Sequence, residues 1–208
     1  MKKLLHLIAT PRSEESRTLR VSEAFLEVFR ETHRDWVLDE LNLAREELPS
    51  LIQRGVDGRY ILLEGEELYG SLKESWEDVV GHIRRFLSAD GYLVSTPMWN
   101  FSIPYVLKQY LDVITQPRLS FRPGESGAVE GMAAGRKLVV VTSRGWDYDA
   151  GPWRGHDLQE PYLRLIFGFL GVTDIDFVVA QPTDLGEELR ERRIREARER
   201  ARAVAARF

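Results

Sequence analysis

Apolar positions along this chain fall into two rhythms, short buried runs and longer stretches with spacings of three and four. Lys3 to Ala9 is a short apolar run and predicts a first strand. A helix is expected from about Arg17 to His33, with Leu19, Phe25, Leu26 and Phe29 on its buried side. Trp36 to Leu43 alternates through Val37, Leu38, Leu41 and Leu43 and predicts a second strand. Residues 44–66 are polar, Gly-bearing and irregular, and read as a long loop with at most one helical turn. Leu68, Leu72, Trp76, Val79, Val80, Ile83 and Phe86 then predict one strong helix.

The next run, GYLVSTP, is apolar and β-branched and predicts a buried strand. The helix after it carries Val106, Leu107, Tyr110, Leu111 and Ile114. RPGESGAVEGMAAG is a Gly-rich connection into the most strand-like run, Lys137 to Thr142. A long loop, SRGWDYDAGPW, precedes a helix near Asp157 to Leu170, and Ile175 to Ala180 is the last strand. From Glu187 the chain reads as an exposed helix, with Glu188, Glu191 and Glu196 each four residues ahead of an arginine. Strands alternate with helices, and the strand sequences are buried rather than amphipathic, which indicates a parallel sheet covered on both faces. Five such strands predict an α/β fold with the flavodoxin-like order 2-1-3-4-5, in one domain spanning residues 1–208.

Composition narrows the chemistry. The 208 residues include no cysteine, so disulfides and thiolate catalysis or metal ligation are excluded. A formal net charge of −4 gives no global attraction to nucleic acid or to anionic membranes. The start, MKKLLHLIATPR, pairs lysines with an apolar run too short for a signal sequence. No stretch approaches the ~20 apolar residues of a membrane span. A cytoplasmic protein is expected.

Three loops leave the carboxyl ends of strands 1, 3 and 4, where open α/β sheets bind ligands. TPRSEESRT offers the hydroxyls of Thr10, Ser13, Ser16 and Thr18 beside Arg12 and Arg17 at a helix start. Ser16 is placed to cap that helix while its first N–H groups stay free, which makes an anion site. In PMWNF, Met98, Trp99 and Phe101 surround Asn100 at the strand-to-helix turn; as bare composition they would pass for core residues. In SRGWDYDAGPW, Ser143, Arg144 and Tyr148 offer donors, Gly145 and Gly151 allow close backbone approach, and the aromatic content calls for a cover. No phosphate-loop, dinucleotide or nucleophile-elbow motif is present. His6, His33, His82 and His156 show no metal-ligand spacing, so no metal site is expected.

PMWNFSIPYVLKQYLD, the SRG that ends the fourth strand, the hydroxyls after the first strand and PYLRLIFGFLGVTD together resemble one family. It is the FMN-dependent NADH azoreductase and NAD(P)H quinone reductase group of the flavodoxin-like superfamily. The resemblance runs end to end. It implies that Thr10, Ser16, Arg17 and Thr18 hold the FMN phosphate, and that Pro97, Met98, Trp99, Asn100 and Phe101 grip the isoalloxazine. Ser143, Arg144, Gly145 and Trp146 would lie along its pyrimidine edge. It further implies an enzyme using NADH or NADPH to reduce a quinone or azo acceptor by two-electron ping-pong transfer, and a homodimer with the acceptor pocket at its interface. Tyr148 is the candidate catalytic donor toward N1, with a packing aromatic as the competing reading. Trp146 stands where relatives commonly have Gly, and Pro123 where a Tyr can line the pocket; both bear on substrate preference. The alternative function is a flavodoxin-type electron carrier, although carriers tend to be shorter and strongly acidic. A fold relative that has lost its flavin is the third reading.

Overall fold

The computed structural model describes residues 1–12, 15–51, 54–124 and 127–208. In chain order the elements are β1 (Lys2–Ile8), α1 (Arg17–Thr32), β2 (Trp36–Asn42), α2 (Arg54–Glu64), α3 (Gly70–Ser75), α4 (Glu77–Leu87) and β3 (Gly91–Ser95). They continue with α5 (Tyr105–Ile114), β4 (Phe121–Pro123), β5 (Val129–Gly131), β6 (Lys137–Ser143), α6 (Gln159–Phe169), β7 (Asp174–Ala180) and α7 (Glu187–Ala205). The main sheet is parallel throughout, in the order β2-β1-β3-β6-β7. That is the expected 2-1-3-4-5 order of its five strands.

Because side chains alternate across a strand, neighbouring apolar residues serve opposite cores. Leu4, Leu93, Val139 and Val141 pack with α1 and α7, around Phe25, Phe29, Ile194 and Ala201. Leu5, Leu7, Val94, Leu138 and Val140 pack on the other face with α4, α5 and α6, around Ile83, Phe86, Leu111 and Phe167. Double-sided burial is why these strands read as continuous apolar runs.

Several local expectations are corrected. The segment read as a loop over 44–66 holds the three-turn helix α2. Val56, Tyr60 and Leu63 face outward and Leu62 alone of its leucines enters the core, so no core stripe marks it. Tertiary contacts hold it instead: Arg59 donates to the carbonyl of Thr115 at 2.8 Å, and Gly58 sits so close to the Trp76 indole that a Cβ there would lie 2.3 Å from it. The single helix expected through Leu68 to Phe86 is broken at Trp76, whose N–H turns to the carbonyl of Lys73, three residues back. A three-residue turn preserves the apolar spacing, so periodicity cannot register the break. The Gly-rich connection contains the antiparallel pair β4–β5. In α1, Leu19 is only half-buried, and Thr18, Val21, Ser22 and Ala24 take the inner side with Phe25, Leu26 and Phe29.

The charged tail is not simply solvated. Ile194, Ala197, Ala201 and Val204 of α7 are buried, and its charges reach across to α1. Glu191 pairs with Arg20 at 2.5 Å, and Arg202 with Glu27 at 3.2 Å. Among the described residues Glu196 pairs instead with Arg193 of its own helix at 2.8 Å. Hydrogen bonds to Arg20 and Arg193 hold the carboxyls of Glu191 and Glu196 below their usual range, and Arg195 and Arg200, four residues further on, add to this through charge alone. Also among the described residues, no helix is long and apolar enough to cross a membrane.

A bidentate ion pair ties the β2 edge to α4: Arg85 Nη2 lies 2.6 Å from Asp39 Oδ1, and its Nε donates to Oδ2 at 3.2 Å. Hydrogen bonding to Arg85 holds the Asp39 carboxyl below its usual range, with Lys3 adding to the effect. The folded state therefore binds this proton less readily than the unfolded state. The stabilisation is present above the unfolded carboxylate pKa of about 4 and is lost as pH falls through the lower folded value. Asp39→Asn is expected to lower Tm at pH 7, with the gap to wild type closing below about pH 4. Melting curves across that range check it; a constant gap would remove the carboxylate as its source.

Candidate functional site

The carboxyl ends of β1, β3, β6 and β7 open onto one crevice, lined by Thr10, Ser16, Thr18, Pro97, Trp99 and Ser143, with Gly145, Thr183 and Asp184 closing one side and Pro11 and Arg12 the rim. Its floor is the start of α1. Ser16 has extended backbone (φ −70°, ψ 116°), and its Oγ accepts from the N–H of Leu19 at 3.3 Å as the helix N-cap. The same Oγ lies 3.1 Å from Thr10 Oγ1, and Thr18 Oγ1 lies 2.8 Å from Ser143 Oγ. Two pairs of hydroxyls thus converge where the first-turn N–H groups of Arg17 and Thr18 have no acceptor among the described residues. Free N–H donors, the positive end of the helix dipole and rotatable hydroxyls suit an anion, and phosphate above all. Ser13, the fourth hydroxyl of this loop, lies outside the described residues.

The arginines here are tethered. Arg17 Nη1 donates to Thr183 Oγ1 at 3.1 Å and pairs with Asp184, while exposed Arg12 pairs with Glu15 at 2.9 Å. Behind the cradle a buried polar chain fixes the helix start to the sheet. Ser22 donates to the carbonyl of Thr18 at 3.1 Å and lies 2.6 Å from Ser95 Oγ, which lies 2.7 Å from His6 Nε2.

The PMWNF stretch is a tight turn. Trp99 and Ser102 exchange both backbone hydrogen bonds, each at 2.9 Å, around Asn100 (φ 46°) and Phe101 (φ 71°). Two consecutive left-handed residues in a two-residue loop define a type I′ geometry, for which Asn-Gly is the favoured sequence. Asn tolerates the left-handed region; a bulky Phe there stores strain of about 1–3 kcal/mol and persists only where its surroundings dictate it. Those surroundings are visible. Met98 N–H donates to the carbonyl of Ser143 at 3.0 Å, and Leu158 N–H donates to that of Phe101 at 2.9 Å. The turn therefore holds Trp99 and Phe101 at the mouth of the crevice, each 39% exposed. That level of exposure is incompatible with a pure core role.

In the third loop the backbone matters more than the side chains. Gly145 carries no side chain because a Cβ would lie 2.3 Å from Asp184 Oδ2, and its carbonyl accepts from the N–H groups of Thr183 and Asp184 at 3.2 and 3.1 Å. Arg144 turns inward and is buried. Its Nη2 lies 3.0 Å from Asp157 Oδ2, and its Nε donates to Gln159 Oε1 at 3.2 Å. Trp146 is exposed, with its ring 5.6 Å from that of Trp153, which in turn lies 6.0 Å from Phe101. Tyr148 is buried between the Arg144 guanidinium and the edge of Phe101, with ring distances of 6.0 and 6.5 Å, and does not line the crevice. Desolvation raises its hydroxyl pKa, so it is a neutral phenol at physiological pH.

The structure thus brings Thr10, Ser16, Arg17, Thr18, Pro97, Trp99, Ser143 and Gly145 onto one crevice, with Met98, Asn100, Phe101 and Trp146 beside it. Arg144 and Tyr148 stand behind the wall. Thr183, Asp184 and Gln159 were missed by the sequence reading. The first two follow β7, and extending the shared-rim rule to that last strand would have found them. Gln159 left no local signal. Among the described residues no group of His, Cys, Asp and Glu is placed to hold a metal.

Comparison with known proteins agrees with this fold. The sequence profile of the family described as "Flavodoxin-like fold" matches residues 2–205. An FMN-dependent NADH:quinone oxidoreductase of Nitratidesulfovibrio vulgaris is 38% identical over the full length of both chains. One from Bradyrhizobium diazoefficiens is 38% identical over 88% of each. Among solved structures, an azoreductase from Bacillus anthracis superposes with a TM-score of 0.90 at 28% identity, over 100% of both chains. An FMN-dependent NADH-azoreductase from Bacillus anthracis, solved in complex with FMN, gives 0.83 at 27% identity over 99% of this chain and 100% of that one. Strand order and end-to-end match converge: the chain belongs to the flavodoxin-like fold family.

Proposed function

We propose that this chain is an FMN-dependent oxidoreductase that takes reducing equivalents from NADH or NADPH and passes two electrons to a quinone or azo acceptor in a ping-pong cycle. The observation that carries the reading is one crevice with two matched ends. Its inner end has N–H groups without an acceptor among the described residues and converging hydroxyls, and its mouth has a strained aromatic turn. An anionic, flat, amphipathic cofactor needs both. Thr10, Ser16, Thr18 and the first-turn backbone of Arg17 would hold the phosphate. Pro97, Met98, Trp99, Asn100 and Phe101 would hold the ring system. Ser143, Gly145 and Trp146 would meet its polar edge, with Arg144 supporting that loop from behind. When bound, FMN supplies hydride acceptance from the nicotinamide and two-electron delivery to the acceptor.

The acceptor's side is read from the exposed rings of Phe101 and Trp146, with the half-buried Trp153 between them, which offer a planar acceptor a stacking surface. A carrier that only exchanges electrons with protein partners needs no stacking surface for a small planar acceptor. The partner in this reading is a second copy of the chain. Trp99 and Asn100 also border a broad groove between α5 and α6, where Tyr105 and Leu165 are 72% and 71% exposed. Light scattering at twice the chain's mass is the check. Tyr148 is assigned to keep Phe101 and Arg144 in place through its ring, from behind the crevice wall.

The test is made on the purified protein. A bound flavin absorbing in the blue, its bleaching by NADH or NADPH without air, and parallel initial-rate lines against a quinone or azo dye are expected. Flavin that stays oxidised with both nicotinamides would favour the electron carrier. In the same assay Tyr148→Phe, which keeps the packing ring, is expected to leave both flavin reduction and Tm near wild type; slowed reduction at unchanged Tm would give the hydroxyl a role at the ligand.

A further inference from the structure

Gln159 is fully buried at the first position of α6, and its carboxamide is hydrogen-bonded at every atom able to bond. Oε1 accepts from Thr142 Oγ1 at 2.9 Å and from Arg144 Nε at 3.2 Å, while Nε2 donates to the carbonyl of Pro97 at 3.0 Å. The amide orientation follows from its partners: Arg144 Nε can only donate and a carbonyl can only accept, so the flipped amide would be repelled at both. Its neighbour Leu158 gives its N–H to the carbonyl of Phe101. The start of α6 therefore grips the strained turn at two carbonyls, Pro97 before it and Phe101 within it. Asp157 secures that grip, because its Oδ1 accepts from the N–H groups of Gln159 and Glu160 at 2.8 and 3.1 Å.

We propose that Gln159 is a positioning residue of the site: without touching the ligand, it sets where the turn formed by Trp99 to Ser102 stands over the flavin. This rests on the FMN reading. A left-handed Phe101 holds its place only while its surroundings compel it. On the turn's incoming side the Pro97 carbonyl accepts from Gln159 and, at 3.2 Å, from its neighbour Thr96 Oγ1, and Met98 N–H donates to Ser143. Of the two donors to Pro97, Gln159 is the one that reaches it from another element. Gln159 also joins that turn to the end of β6, from which Ser143 and Gly145 reach the other side of the crevice. Together with the backbone bond from Met98 to Ser143, this side chain sets the spacing between the two loops that flank the ligand.

Gln159→Glu tests this with almost no change in volume. The carboxylate keeps an acceptor for Arg144 and Thr142 but sets an oxygen against the Pro97 carbonyl. In the flavin-free protein, amide exchange at Trp99 and Ser102 is expected to quicken about tenfold, while Ser16 and Leu19 keep their rates. In the loaded protein, FMN affinity should stay within about threefold, because the phosphate cradle is untouched. The flavin's visible band should shift and kcat should fall about tenfold with KM for NADH nearly constant. A lower Tm with exchange rates, flavin spectrum and kcat all at wild-type values would overturn the proposal and leave Gln159 a structural residue. If Gln159→Glu does not fold, Thr142→Val removes one of the same hydrogen bonds at constant shape and should move the same readouts in the same direction by less; unchanged readouts there would also overturn it. Wild-type protein that binds no flavin would instead sink the FMN reading, and the exchange measurement would still report on the turn.

Discussion

Gly131→Ala is expected to lower Tm by roughly 6–12 °C, on an overpacking cost of about 3 kcal/mol and about 2–4 °C per kcal/mol for a chain of this size. An added Cβ would lie 2.0 Å from the carbonyl carbon of Leu170 and 2.2 Å from the nitrogen of Gly171. Both are backbone atoms at the end of α6, and neither can swing away as a side-chain tip would. The approach is tight from the other side as well: Gly171 has φ +99°, and a Cβ there would lie 2.7 Å from the Gly131 carbonyl oxygen. This contact locks the β4–β5 pair onto α6, with Ala133 N–H donating to the carbonyl of Leu170 at 2.9 Å. Gly81→Ala gives the opposite sign, since Gly81 sits inside α4 with nothing within 4 Å of the new methyl. That substitution should raise stability by about 0.4–1 kcal/mol by restricting the unfolded chain. Calorimetry of the two variants checks the pair; equal shifts would mean the backbone at 131 gives way more easily than its distances imply.

Ser16→Gly is expected to weaken FMN binding by about ten- to a hundredfold, the equivalent of one hydrogen bond of ~1.5–3 kcal/mol to a charged group. Riboflavin, which lacks the phosphate, should bind with nearly unchanged affinity. The choice of Gly follows from the structure. Ser16 is both a cradle hydroxyl and the N-cap of α1, so Ser16→Ala mixes two effects. Replacing an N-cap serine by Ala costs about 1 kcal/mol, whereas Gly costs only a few tenths. Ser16→Ala should therefore lose FMN affinity and stability together, and Ser16→Gly affinity almost alone. Fluorescence titration with both ligands, beside melting curves, separates them. Equal losses for FMN and riboflavin would remove Ser16 from the phosphate's contacts.

What the sequence determined by itself was the sheet and the place of the crevice. Runs such as LVVVT and GYLVS bury both faces, and only a covered parallel sheet offers apolar surroundings on both sides. Ser16 at a helix start is likewise local chemistry, because a cap and its free N–H groups lie within a few residues of one another. Elements without a core stripe were not legible: α2 turns Tyr60 and Leu63 to solvent and stays helical through contacts with Trp76 and Thr115, distant in sequence. The break at Trp76 was hidden because a tighter turn keeps the apolar spacing. The site divides along the same line. Residue types near the strand ends could be read, but the direction of each side chain could not. Arg144 goes inward because Asp157 and Gln159 wait for it there, and Phe101 is left-handed because Leu158 and its neighbours hold it so. Both outcomes depend on partners brought close only by folding, and no window along the chain contains them.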